Sequence, residues 1–344
     1  MRTARIKSRG RAFYHCISRV VDKQMILGDI ERDKFRDLMR GCETFAGVRI
    51  VTYALLSNHL HIMVEVPQRV MVDEAGIRRR LAALYSDKEV ARIEMRWEGW
   101  RKEGQERLVE ADLERFRLRM YDVSEFMKTL KQRFTQWYNI REQRTGTLWE
   151  DRFKSVLVEQ PPHYVKARSG AGALKTIAAY IDLNPVRAGL VADPKDYRWS
   201  GYGEAVAGKM RAREGLALIY GTDQSEWRRF GESYRALLYA AGKDALSAFG
   251  QIDGRELTAA EIEAHIKEHG SLSLAAVLHC RVRYFSDGLA IGSKAFVNQV
   301  FKEYRDRFGE KRKSGARRLK GADWGGLCTA RDLRRAPLGL VGRG

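Results

Sequence analysis

The sequence predicts an α+β protein: a ferredoxin-like antiparallel sheet with helices over one face, followed by a C-terminal α-helical domain. Three observations carry that prediction. Runs with the two-residue period of strands and runs with helical period succeed one another as β-α-β-β-α-β in the first 160 residues. An Ala-rich helix ending at an Asn-Pro pair follows them. Beyond about residue 205 helical signals continue while strand signals nearly vanish.

Residues 11–20 (RAFYHCISRV) alternate apolar with polar side chains, the pattern of a half-buried strand. Residues 29–46 open on Asp29, set Ile30, Phe35, Leu38, Met39, Cys42 and Phe45 near helical spacing, and stop at Gly47. Residues 48–56 and 59–66 are β-rich and separated by Ser57 and Asn58, which predicts two neighbouring strands. Residues 70–120 then break the pattern. They are rich in Arg, Glu, Lys, Ala and Leu, lack proline, and predict one or two charged helices inserted into the core.

Residues 123–141 return to a strong helical period, with Phe126, Leu130, Phe134, Trp137 and Tyr138 on one side. A Gly turn and the alternation around Phe153, Ser155, Val156 and Val158 predict the fourth strand within 144–159. Residues 172–184 predict a helix stopped by Pro185, because a proline disfavours helical backbone in the residue before it. Helices are expected over 226–241, 258–268, 271–281 and 293–308. Residues 271–305 fit a helix-connector-helix, as in a helix-turn-helix DNA reader, although the connector is longer than usual. The division is therefore 1–205 and 206–344, the second part ending in a basic tail that includes Lys311, Arg312, Lys313, Arg317, Arg318 and Lys320.

Composition restricts the partners. The 344 residues include 63 Lys plus Arg against 44 Asp plus Glu, a net charge of +19, which points to a polyanion and first of all to nucleic acid. With 44% hydrophobic and 31% charged residues the chain can build a core, so disorder throughout is excluded. No uncharged apolar stretch of about 18 residues occurs, and the start has no apolar run resembling a signal peptide. No membrane partner is expected, and the expected location is cytoplasmic and nucleoid-associated. Cys16, Cys42, Cys280 and Cys328 form no C-x-x-C pair, so neither a disulfide framework nor a cysteine-based zinc module is indicated.

Two pairs of residues could do chemistry. A strand places His59 and His61 on one face, about 7 Å apart along the backbone, where one metal ion could join them. Two histidines do not close a metal site, and on the pair alone satisfied or solvent-facing side chains are the plainer reading. Tyr180 and Asn184 are four apart and share a helical face, with an amide oxygen able to ligate a hard cation. A core tyrosine and a helix-end cap explain the same two residues. Tyr138 lies among core aromatics, and Tyr164 sits near a Pro-Pro turn without a companion ligand.

Taken together, NHLHIMVEV (58–66), GTLWEDRFKSVLVE (146–159) and YIDLNPVRAGLVADPKDYRWSGY (180–202) resemble the REP-associated tyrosine transposases, relatives of single-tyrosine HUH transposases of the insertion-sequence type. The resemblance spans nearly all of 1–205, with the three motifs in the family's order. It implies an HUH nuclease fold, with His59, Leu60 and His61 as the His-hydrophobic-His motif, Tyr180 as the nucleophile and Asn184 as the third metal ligand. It also implies Mg²⁺ or Mn²⁺ as cofactor, a 5′-phosphotyrosine intermediate, and single-stranded or hairpin DNA of repetitive palindromic elements as substrate. Arg133, Trp149, Arg152, Phe153, Lys154 and Arg187 are then expected to clamp phosphates or stack on bases, although a solvated charge explains each basic residue and a core position explains Trp149 and Phe153 equally well. The insertion at 70–120 departs from the compact family pattern, whereas a C-terminal extension occurs in longer members. The competing expectations are a non-catalytic DNA-binding regulator and an RNA-binding protein, since related folds recognise RNA on their sheets.

Overall fold

The computed structural model describes residues 5–8, 10–160, 172–248, 278, 281–331 and 338–339. The first part follows the expected order: β1 (Ala12–Arg19), α1 (Asp29–Ala46), β2 (Arg49–Leu55) and β3 (His59–Val66). The inserted segment forms three helices, not one or two: α2 (Glu74–Ala82), α3 (Asp87–Lys102) and α4 (Glu106–Arg117). α2 starts at the Asp73 cap and α3 at the reciprocal capping box of Ser86 and Glu89, while α4 has no side-chain cap. Their apolar residues meet around Trp97, which is fully buried and donates its indole N–H to Asp112 at 2.8 Å. Charge dominates the composition of 70–120, but the buried Ile77, Leu81, Ile93, Val109, Leu113 and Phe116 join it to the main core.

α5 (Val123–Arg141) and β4 (Lys154–Val158) complete the β-α-β-β-α-β unit. β1 lies between β3 and β4, antiparallel to both, while β2 flanks β3, which is the strand order of a ferredoxin-like sheet. A register shift between Ile50 and Thr52 keeps Ile50, Tyr53 and Leu55 on one face.

Helices cover both faces of this sheet, where coverage of one face was expected. α1 and α5 pack against Tyr14, Cys16, Ile62 and Val64. The opposite face, carrying Phe13, Ala54, Met63 and Val156, is covered by α6 (Ala173–Asp182), α8 (Gly201–Val206), α9 (Met210–Tyr220) and part of α10 (Trp227–Ala248). Double coverage explains why seven of the eight residues of β1 are buried, although the sequence alternates as if one face were wet. α9 comes so close that a Cβ at Gly215 would stand 2.2 Å from the Ile50 carbonyl oxygen, so only glycine fits.

α6 ends at Asp182, yet Pro185 does not stop the helical path. A one-turn helix, α7 (Asn184–Arg187), resumes at once with Pro185 in its first turn, where the missing N–H costs nothing.

The C-terminal part differs most from expectation. α10 matches the helix expected at 226–241, and α12 (Lys294–Glu303) the one at 293–308. The helix expected at 258–268 and nearly all of that at 271–281 lie outside the described residues. Where a connector was expected, the chain forms β5 (Arg281–Val282), the one-turn α11 (Tyr284–Asp287) and β6 (Ala290–Gly292). β6 joins β4 in parallel, and β8 (Cys328–Thr329) and β7 (Arg317–Arg318) extend the same sheet to seven strands, in the order β2-β3-β1-β4-β6-β8-β7. Among the described residues, 281–331 is therefore a mixed extension of the first sheet; the first helix of the helix-connector-helix expected over 271–305 lies almost wholly outside them.

Candidate active site

The pleat of β3 sets His59 and His61 on the face covered by α6, and the sixth and eighth rows of β1 set Ile17 and Arg19 opposite them. Across that face Ile17 pairs with His61 on one side and with Lys154 on the other. His15 is on the same face of β1, one pleat away and diagonal to His61. The imidazoles of His15 and His61 stack with ring centroids 5.1 Å apart, and those of His59 and His61 meet edge to face at 5.2 Å.

Hydrogen bonds determine where the ring protons sit. His15 Nδ1 lies 2.9 Å from the Phe285 carbonyl oxygen, which can only accept, so Nδ1 carries the proton. A neutral His15 then offers a lone pair at Nε2 to His61 Nδ1, 2.9 Å away, and His61 in turn is protonated at Nδ1. Its Nε2 is left with an open lone pair. His59 Nδ1 donates to Asn58 Oδ1 at 2.6 Å, and Asn58 Nδ2 in turn donates to the Lys23 carbonyl, which orients the amide. His59 Nε2 is thereby a second open lone pair.

Neutrality of all three rings follows from their surroundings. Burial first, with Arg187 adding and the Phe285 carbonyl opposing, brings His15 down to about 3. Burial, then Arg19, Arg281 and Arg187, brings His59 to about 3. His61 is held well below its ordinary range by burial and by its two histidine neighbours. Neutral imidazoles are the form that binds metal.

Tyr180 comes down from α6 onto this cluster, its ring 6.1 Å from that of His61 and 6.5 Å from that of His15. Phe285 packs edge to face on it at 4.9 Å. The Arg187 guanidinium lies over the Tyr180 ring, 4.0 Å from its centroid, and donates to the Tyr180 carbonyl at 2.6 Å and the Leu278 carbonyl at 2.5 Å. Asn184 also donates its amide N–H to the Tyr180 carbonyl, at 3.2 Å, which leaves the side-chain oxygen without a hydrogen bond among the described residues. Two imidazole nitrogens and one amide oxygen are a donor set that fits Mn²⁺ or Mg²⁺. No group of three or more His, Cys, Asp or Glu side chains is placed to hold a metal ion among the described residues. His15 cannot be a third imidazole ligand in this arrangement, because both its nitrogens are engaged.

The other expected site residues divide. Arg152 and Lys154 are exposed at the start of β4, on whose histidine-bearing face Lys154 forms a 2.8 Å ion pair with Asp287. Arg133 is on α5, across the sheet from the histidines, with its guanidinium over the Tyr85 ring. Trp149 is 6% exposed, packs on Phe35 and Phe134, and donates to Thr135 at 2.9 Å. Phe153 is equally buried beneath Arg5. Both rings are buried in the core, which is the second of the two readings the sequence left open for them. Tyr164 lies outside the described residues.

Sequence reasoning missed His15, Phe285, Arg19 and Arg281. A signal existed for His15: it shares strand parity with Phe13 and Ile17, and the β-α-β-β order places that strand beside the one bearing His59 and His61.

No family model matches the chain, and no curated protein does. Among solved structures it is similar to a REP-associated tyrosine transposase bound to a REP hairpin, at 14% sequence identity and a TM-score of 0.38, over 60% of this chain and 86% of that one.

Proposed function

We propose that the protein is a metal-dependent single-stranded DNA nickase and strand transferase, acting at hairpins of palindromic repeats through a 5′-phosphotyrosine on Tyr180. The observation that carries this reading is the convergence of a tyrosine and two neutral histidines with open Nε2 lone pairs on one sheet face, with an arginine over the tyrosine ring.

His59 Nε2, His61 Nε2 and Asn184 Oδ1 are the proposed ligands, and bound Mg²⁺ or Mn²⁺ would supply Lewis-acid withdrawal of charge from the scissile phosphate. A tyrosine hydroxyl ordinarily titrates near 10, so it is a poor nucleophile until its anion is stabilised. Arg187 is the group proposed for that role, because its guanidinium lies over the Tyr180 ring face where phenolate charge would spread. The Tyr180 oxygen attacks phosphorus, the bond from phosphorus to the 3′ oxygen breaks, and the proton lost by the phenol is balanced by the one gained at the released 3′-hydroxyl. Attack by another 3′-hydroxyl reverses these changes and rejoins DNA without an external energy source. Arg19 and Arg281, near enough to depress His59, serve as phosphate contacts together with Arg152, Lys154 and Arg187.

The test is incubation of end-labelled hairpin DNA with Mn²⁺ and the full chain, followed by denaturing electrophoresis. Wild type is expected to give a covalent protein-DNA band and a released 3′-hydroxyl fragment, and Tyr180→Phe neither. Tight binding of DNA hairpins by wild type without that band would identify a non-catalytic regulator, and preference for RNA hairpins without cleavage an RNA-binding protein.

A further inference from the structure

His15 belongs to no part of the proposed chemistry, yet it is fully buried and uses both ring nitrogens. A buried imidazole makes hydrogen bonds because an unsatisfied buried polar group is costly, but that requirement alone does not direct it at another histidine. Here one nitrogen is tied to a backbone carbonyl, which has no proton to give, and the other to His61 Nδ1. The carbonyl therefore determines the direction of the whole chain of donors.

We infer that His15 is a positioning residue: anchored on the Phe285 carbonyl, it holds His61 in the Nδ1-protonated tautomer and so keeps the Nε2 lone pair pointed into the proposed metal site. This inference rests on the reading of His59, His61 and Asn184 as ligands. It makes the extension at 281–331 part of the site, because the anchor lies in α11. Hydrogen bonds from outer residues to ligating histidines set ring orientation and basicity, and their loss typically lowers metal affinity about 10- to 100-fold.

Two variants separate positioning from packing. His15→Leu fills the space but offers His61 no acceptor; His15→Gln restores an acceptor oxygen near the position of Nε2. The first measurement uses the full chain without metal, labelled with ¹⁵N-histidine, and reads the tautomer of His61 from its ring-nitrogen shifts. Wild type and His15→Gln are expected to be Nδ1-protonated, and His15→Leu to show a mixture or the Nε2-protonated form. The second is Mn²⁺ titration followed by electron paramagnetic resonance. His15→Leu is expected to bind about 10- to 100-fold more weakly than wild type, with His15→Gln recovering most of the loss. Melting curves check that both variants fold.

The outcomes are distinguishable. An unchanged His61 tautomer in a folded His15→Leu overturns the inference, as does unchanged Mn²⁺ affinity. Failure of wild type to bind Mn²⁺ overturns the metal-site reading and the role in it assigned to His15, whatever the tautomer.

Discussion

At the scale of single residues, Arg187 has the most demanding position in the site. Its guanidinium caps the Tyr180 ring while two of its N–H groups hold the Tyr180 and Leu278 carbonyls, so one side chain orients the tyrosine and, in the proposed mechanism, would face the charge developing on it. A cation over an aromatic face in a desolvated setting is worth about 1–2 kcal/mol. Arg187→Ala is accordingly expected to slow single-turnover nicking about 5- to 30-fold at saturating Mn²⁺. Arg187→Lys recovers only part, because an ammonium lacks the planar fork. A wild-type rate in Arg187→Ala would remove this residue from the mechanism. Legibility at this scale followed sequence distance. His59 and His61 are two apart on one strand, and Tyr180 and Asn184 four apart along a nearly continuous helical path, so local periodicity already aligned each pair. His15 and Phe285 are separated by 270 positions. No local period links them; only the pairing of β1 with β4 and of β4 with β6 brings them together.

At the scale of elements, α6 must be held at a constant height above the sheet if its tyrosine is to reach the histidines. Asp182, fully buried two residues after Tyr180, does this. It accepts from the Thr52 hydroxyl on β2 at 2.7 Å, from the Tyr202 N–H on α8 at 3.2 Å and from the Tyr234 hydroxyl on α10 at 2.6 Å. Burial pushes its carboxyl up to about 7 against the pull of those three donors. Removing the acceptor strands all three donors in a dry interior, so Asp182→Ala is expected to lower the unfolding free energy by about 3–5 kcal/mol. Tyr234→Phe, which removes one donor and leaves two, is expected to cost about 1–3 kcal/mol. Urea unfolding followed by tryptophan fluorescence measures both, and equal, small losses would show that Asp182 is not a hub. Nothing in the sequence identified it, since Asp182 reads simply as a charge near a helix end. The long elements were legible because α1, β3 and α5 each run eight residues or more, enough to display a period. β6, β7 and β8 are two or three residues long and cannot display one.

At the scale of the whole molecule, the shortness of those strands conceals how firmly the C-terminal extension is built into the fold. β6 covers the outer edge of β4 through Leu157 with Ala290 and Val158 with Ile291. Phe285, Val282 and Ile291, all fully buried, seal the core beneath Tyr180. Full burial of such side chains contributes about 1.5–3 kcal/mol each, so removing the three together costs about 4.5–9 kcal/mol. Truncation also bares β4 as an apolar edge with unpaired backbone groups, a template for pairing with another chain. A chain ending at residue 248 is therefore expected to melt well below the full-length protein and to form concentration-dependent aggregates, as calorimetry and light scattering would record. The division at 205/206 suggested by sequence predicts the opposite: a separable helical module whose loss leaves the first part stable and monodisperse. The two expectations differ because helical periodicity reports what a segment does alone, whereas a strand two or three residues long is defined by its neighbour. A truncated chain that melts with the full-length protein would favour the separable module and leave His15 to keep its orientation without the Phe285 carbonyl.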